Sequence, residues 1–245
     1  MNNHEEYCYV DVHCHCYEYS LDYLQKHKDF IIVIVSDDVE SSIKTIEYAQ
    51  KLDNIVPCVG IHPWSIEEAK ISDIETISRL IDKYNVKCIG EVGLDTKFVP
   101  KTIDKQREFF NKFLQLAKEY DLVMNIHAAG TWNEVLDLLI KNSIEKAIIH
   151  WYTGPPNLID EIASQGYYIG VNPAWKIQKK HREIISLAPI SILITESDAP
   201  YNYRGLKMEP RMVVDSIKYI GEVKKLHYDD VVKRISNNFR NLFKI

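Results

Sequence analysis

Short apolar runs alternate with helix-patterned stretches along the whole chain, and this alternation constrains the fold more than any other feature. The apolar runs fall at Tyr7–Val12, Asp29–Val35, Ile55–Ile61, Lys87–Asp95, Leu122–Ile126, Ala147–Ile149, Tyr167–Val171 and Ile190–Ile194. The second reads Phe-Ile-Ile-Val-Ile-Val, continuous and β-branched, as a parallel strand covered on both faces requires. Helical spacing is clearest over Asp104–Tyr120, where Phe109, Phe113, Leu116, Ala117 and Tyr120 share a stripe. Shorter helices are expected at Leu21–His27, Ser41–Leu52, Asp73–Tyr84, Trp132–Lys141, Leu158–Gln165, His181–Leu187, Arg211–Lys225 and Asp229–Ile235, with a packed tail over Asn237–Ile245. Eight units of roughly 30 residues fill the chain. The expectation is one α/β domain over residues 1–245, a (β/α)8 TIM barrel with its site at the carboxyl ends of the strands.

Those ends carry the polar surprises. His13 and His15 follow the first run, His62 the third, His127 the fifth and His150 the sixth, while Glu196 and Asp198 follow the eighth. Glu91 lies within the fourth, between Gly90 and Gly93, which leave room for close backbone approach. A strand passing through His13 and His15 would turn both rings to one face. His4, His27, His181 and His227 fall on the terminus or on helices and read as solvated or capping.

Neutral imidazoles and ionised carboxylates are ligands for a borderline divalent ion at roughly 2.0 to 2.2 Å. The expected arrangement is one ion held by His13, His15, Glu91 and Asp198 and a second by Glu91, His127 and His150. Two ions roughly 3.5 to 4 Å apart activate a water, and Asp198 can take and return its proton, so Asp198 and Glu91 are the catalytic candidates. Zinc, magnesium and manganese all suit this donor set. No covalent nucleophile is required, and Ser197 lacks a glycine-flanked elbow.

Composition narrows the partners. A formal charge of -5 argues against a surface that coats DNA generally, though a local basic rim can hold a phosphate. No C-x-x-C pair occurs among the five cysteines, so buried reduced thiols and a cytoplasmic location are expected. No secretory signal or apolar run of membrane-spanning length is evident.

With these residues in view, the chain resembles the TatD family of metal-dependent deoxyribonucleases, within the metallo-dependent hydrolase superfamily. The likeness rests on Asp11–His15, Gly60–Pro63, Ile89–Asp95, His127, His150–Gly154, Glu196–Pro200 and the ending Asn238-Phe239-Arg240-Asn241-Leu242-Phe243. It implies a pair of divalent ions and hydrolysis of a phosphodiester in DNA or a small substrate. It also implies that His62 and Glu196 face the site, for substrate or a third ion. The chain departs from the family pattern at Ala129, where an arginine is usual, at Trp64, where histidine is frequent, and at Thr96, Ser197 and Met208. Lys97, Lys176, Arg204 and Lys207 are then the available phosphate partners, and Trp64, Trp151 and Trp175 the available stacking rings. Ala129 and the acidic charge also motivate a second enzymatic reading, an amide or ester hydrolase, including an aminoacyl-tRNA deacylase. A third reading, a non-catalytic barrel that binds metal or nucleic acid without turnover, is disfavoured by the complete ligand set.

Overall fold

The computed structural model describes residues 8–245. Tyr7, the polar stretch Met1–Glu6 and His4 lie outside the described residues. Eight strands form one parallel sheet in sequence order: β1 (Tyr9–Cys14), β2 (Phe30–Val35), β3 (Ile55–Val59), β4 (Cys88–Gly93), β5 (Val123–His127), β6 (Ala147–Ile149), β7 (Tyr168–Val171) and β8 (Leu193–Thr195). The helices are α1 (Leu21–Leu24), α2 (Val39–Ala49), α3 (Ile71–Tyr84), α4 (Ile103–Glu119), α5 (Trp132–Lys141), α6 (Ile159–Ser164), α7 (Lys179–Leu187), α8 (Val213–Lys224) and α9 (Tyr228–Phe243). This is the expected (β/α)8 barrel. At the seam between β8 and β1, Asp198 N–H donates to His13 O at 2.9 Å and His15 N–H to Ala199 O at 2.8 Å. Two catalytic-site candidates are thereby positioned by the closure itself.

Local sequence explains the elements. Asp38 caps α2 by accepting from Ser41 N–H while Ser41 Oγ accepts from Asp38 N–H, a reciprocal box that turns the chain sharply out of β2. On α4, Phe109, Phe110 and Phe113 are fully buried against the barrel, and truncating one such ring to alanine costs about 3–5 kcal/mol.

Several boundaries differ from expectation. The tail Asn237–Ile245 is helical as far as Phe243: α9 buries Val231, Ile235, Asn238, Phe239 and Leu242 on one stripe, and Asn238 Nδ2 donates to Ile190 O and Leu193 O. Asparagine's weak helix preference hid this continuation. Ile190–Ile192 is a 3₁₀ turn before β8, and a small hairpin, β9 (Asn202–Tyr203) with β10 (Leu206–Lys207), follows Asp198. His27 and His181 are buried, not solvated. His27 Nδ1 lies 3.0 Å from Tyr23 O, and His181 sits between Asn172 N–H and Tyr152 O. The sulfurs of Cys14 and Cys16, and of Cys58 and Cys88, lie against one another in the interior, buried as expected. Cys58 and Cys88 are direct register partners on β3 and β4. Among the described residues no helix is long and apolar enough to cross a membrane.

Candidate metal centre

Two register slips mark the site. β1 shifts against β2 between Asp11 and Cys14, and β4 against β5 between Ile89 and Val92. Such slips re-aim side chains next to active sites. Here they bracket His13 and Glu91. Close backbone approach completes the arrangement: a Cβ on Gly93 would stand 1.9 Å from His127 O, and one on Gly90 2.6 Å from Asn125 Cβ. Only glycine lets β4 meet β5 so closely, and the contact sets Glu91 against His127.

Strand conformation ends at Cys14, so His15 is outside β1. The two rings nonetheless converge, with His13 Nε2 and His15 Nε2 3.3 Å apart. His13 Nε2 lies 3.2 Å and His15 Nε2 3.3 Å from Glu91 Oε2, and each is 3.6 Å from Asp198 Oδ1. Tetrahedral bonds of 2.0 to 2.2 Å imply ligand-to-ligand edges of about 3.3 to 3.6 Å. The four donors therefore stand almost at the spacing that one ion needs. The other oxygen of Glu91 faces the other way: Oε1 is 2.7 Å from His127 Nδ1 and 3.4 Å from His62 Nε2. Glu91 thus divides its oxygens between two groups of imidazoles, as a bridging carboxylate must.

Outer partners fix which nitrogen of each ring is offered inward. Asn125 Nδ2 donates to Val12 O at 2.7 Å, so its Oδ1 must be the acceptor for His13 Nδ1–H at 2.8 Å. His15 Nδ1 faces Asp37 Oδ1 at 3.1 Å, and Tyr17 OH donates to the other Asp37 oxygen at 2.5 Å. His150 Nδ1 faces Glu196 Oε1 at 3.1 Å and turns Nε2 towards Asp198 Oδ1, 3.9 Å away. His127 Nε2 meets Asp95 Oδ2 at 3.0 Å and leaves Nδ1 for Glu91. Each of the four has an oxygen acceptor behind it, the arrangement that orients metal-binding histidines. His62 is the exception. Its Nδ1 accepts from Trp64 N–H, so the neutral ring carries its proton on Nε2, facing Glu91 as a donor.

Burial and charge act together on these groups. Burial pushes the Glu91 carboxyl up, but the imidazoles of His62, His13 and His127 outweigh it and hold Glu91 well below its ordinary range. Burial likewise opposes the His127 imidazolium, yet Asp95 and Glu91 raise its pKa to about 9. At His150 burial and the His13 charge prevail and lower it to about 3. Burial lifts Glu196 to about 7. His150 Nδ1 and Glu196 Oε2 are buried without a well-formed hydrogen bond, as are His15 Nδ1 and Asp37 Oδ1 despite their proximity. These are the outward-facing nitrogens and the carboxylates behind them, close to one another but not aligned for a hydrogen bond.

The structure gathers His13, His15, Glu91, His127, His150, Asp198, His62 and Glu196 at one mouth of the barrel. It groups them more finely than expected: His62 joins Glu91 and His127, whereas His150 faces His13, Glu196 and Asp198. Glu196 stands behind His150, held by Trp151 N–H and Asn172 Nδ2. Arg204 is not drawn in; it occupies the exposed turn of the β9–β10 hairpin over the Tyr203 ring. Lys176 is taken by Asp215 at 2.7 Å. Sequence reasoning missed Asp37, Asp95 and Asn125 as partners. Asn125 was detectable, as the one polar residue inside the run Val-Met-Asn-Ile and two positions before His127.

Comparison with known proteins agrees with this fold. The family model described as TatD related DNase matches residues 10–244. An uncharacterized metal-dependent hydrolase of Methanocaldococcus jannaschii is 29% identical, covering 96% of this chain and 97% of its own. The human deoxyribonuclease TATDN3 is 26% identical, covering 96% and 94%. Among solved structures, the TatD homolog YJJV of Escherichia coli K12 superposes with a TM-score of 0.88 at 21% identity, over 98% of this chain and 99% of that one.

Proposed function

Because the chain belongs to the TatD related DNase family and is a metal-dependent hydrolase of that family, we propose that it cleaves phosphodiester bonds of DNA, from an end, with a water activated by two divalent ions. His13, His15, Glu91 and Asp198 would hold the first ion, and Glu91 and His127, which stand with His62, the second, with zinc, manganese or magnesium as occupants. His150, expected there from the sequence, faces His13, Glu196 and Asp198 and would reach the second ion only by turning its Nε2 across the cluster. The observation that carries the reading is the divided Glu91 carboxylate, with each oxygen facing its own imidazole group. Ions bound there would supply hydroxide at neutral pH and polarise the phosphoryl oxygen.

The protein's own groups do the rest. Asp198 is held by its backbone N–H on His13 O and directs Oδ1 at the imidazoles, so its second oxygen can accept the attacking water's proton and return it to the leaving oxygen. His62 offers its Nε2–H towards Glu91 and the substrate side of the cluster. The human relative's name, deoxyribonuclease, favours DNA as the substrate class.

The test is a panel of single-stranded DNA, a chromogenic phosphodiester and acyl substrates, each run with different metals. Asp198→Asn should lower phosphodiester turnover at least about 100-fold while the far-UV circular dichroism stays native. Undiminished DNA cleavage by that variant would overturn the assignment of Asp198. Cleavage of acyl substrates alone would overturn the choice of bond.

A further inference from the structure

Strongly exposed aromatic side chains are few among the described residues: Trp64, Tyr84, Phe98 and Tyr201. Tyr84 ends α3 at the amino-terminal mouth of the barrel. The other three stand on loops that follow β3, β4 and β8, at the mouth that holds the metal ligands. Trp64 is 46% and Phe98 57% exposed, and their rings meet edge to face at 5.7 Å. Leaving that much ring in water has no packing benefit, and rimmed apolar patches of this kind mark binding sites.

The pair is fixed in place. Trp64 Nε1–H donates to Asp95 Oδ2 at 2.7 Å, while Asp95 Oδ1 accepts from the backbone N–H groups of Lys97 and Phe98, both at 2.8 Å. A single buried carboxylate therefore holds the Trp64 ring and the backbone that carries Phe98, and the same carboxylate orients His127. A ligand that stacks here meets a surface already ordered, so little affinity is lost to ordering it. The seat is also adjacent to the chemistry: the Trp64 ring is 5.4 Å from the His62 ring, whose Nε2 is 3.4 Å from Glu91. Lys97 Nζ lies 5.0 Å from the centre of the Phe98 ring and adds a cation beside it. The remaining tryptophans differ. Trp175 is stacked on Tyr219 at 4.0 Å, Trp132 packs against Tyr152, and the Trp151 indole is tied to Gln178 with Tyr203 against it.

We propose that Trp64 and Phe98 are specificity-determining residues, forming a seat for the nucleobase next to the scissile phosphate, with Lys97 facing the adjoining backbone phosphate. The inference deepens the phosphodiesterase reading above and rests on it. A planar ring with an anionic group attached is the ligand that the ledge and its cation suit together, and stacking on aromatic faces is tolerant of base identity.

The test uses the full chain loaded with metal and two matched esters, thymidine 5′-p-nitrophenyl phosphate and methyl p-nitrophenyl phosphate. The readout is the ratio of their kcat/KM values. Calorimetric titration with dAMP and with inorganic phosphate gives a second ratio that does not depend on turnover. Trp64→Ala and Phe98→Ala should each lower both ratios by about tenfold, whereas Trp64→Phe, which keeps a ring but loses the bond to Asp95, should keep most of each. If both ratios hold within twofold in both alanine variants, the seat is refuted, even where absolute rates fall. It is refuted equally if the wild-type protein binds dAMP no better than inorganic phosphate. If neither ester is cleaved while dAMP remains the tighter ligand and its advantage depends on Trp64 and Phe98, the phosphodiesterase reading fails and the seat stands.

Discussion

Asn125 offers the sharpest test of how the centre is built, because it touches no proposed ion and yet settles the orientation of one ligand. Its amide is read unambiguously: Nδ2 donates to Val12 O and Oδ1 accepts from His13 Nδ1–H. Asn125→Leu keeps a similar shape and removes both bonds, leaving His13 Nδ1–H and the Val12 carbonyl unpaired in a fully buried place. Each orphaned group costs about 1–3 kcal/mol, so the fold should lose about 2–6 kcal/mol of the 5–15 typical of a domain. The loss at the metal is separate. Without an acceptor behind it, His13 no longer favours the tautomer that offers Nε2, and such outer partners are worth about 10–100-fold in metal affinity. Asn125→Asp separates the two effects, since a carboxylate still accepts from His13 but cannot donate to Val12. Affinity is measured by competition with a chromophoric chelator, and stability by urea unfolding of metal-free protein. The leucine variant should lose both and the aspartate variant mainly stability. A leucine variant that binds metal within twofold of wild type would refute the reasoning, as would equal affinity losses in the two.

Three further outcomes follow from the same geometry. Metal at 100 times its Kd should stabilise the fold by about 2.7 kcal/mol, which raises Tm by about 5–11 °C for a chain of this size, and chelator should reverse the shift in calorimetry. His181 is fully buried and burial lowers its pKa to about 4, so the stability that it contributes is complete above about pH 6.5 and is lost as pH falls towards 4. The stability gap between wild type and His181→Gln should accordingly shrink by about 2 kcal/mol from pH 7 to pH 5, and a constant gap would count against a neutral His181. Gly170→Ala would place a Cβ 1.9 Å from Glu196 Oε2, and the displaced carboxylate should cost about 1–3 kcal/mol and weaken metal binding through His150; unchanged urea midpoint and metal affinity would contradict that contact.

Much of this was legible in the sequence, for reasons that differ by residue. The barrel was readable because buried parallel strands must be apolar on both faces, so Phe30–Val35 had no other use. The clustered histidines and acids were noticeable because residues of that kind are out of place immediately after such runs. What remained hidden depended on contacts between distant segments. Asp95 looked like an ordinary loop acid until the fold brought His127 and the Trp64 indole to the same oxygen. His181 looked solvated because helical position alone does not show which face meets Tyr152 and Asn172. The hairpin after Asp198 was missed because strands of two residues leave no periodicity to detect. The split of tasks between His62 and the other histidines could not be seen either, since it turns on a backbone N–H that points at a ring nitrogen.

The barrel's seam has one more implication, for how the protein matures. Ligands assigned to the first ion come from Asp198 near one end of the chain and from His13 near the other, joined across β8 and β1 by a backbone bond. A nascent chain that has not reached Asp198 lacks one member of that donor set, so a cation bound there would have a full coordination sphere only after most of the barrel is made. Bound there, it would act as a clasp across the seam, joining segments far apart in translation.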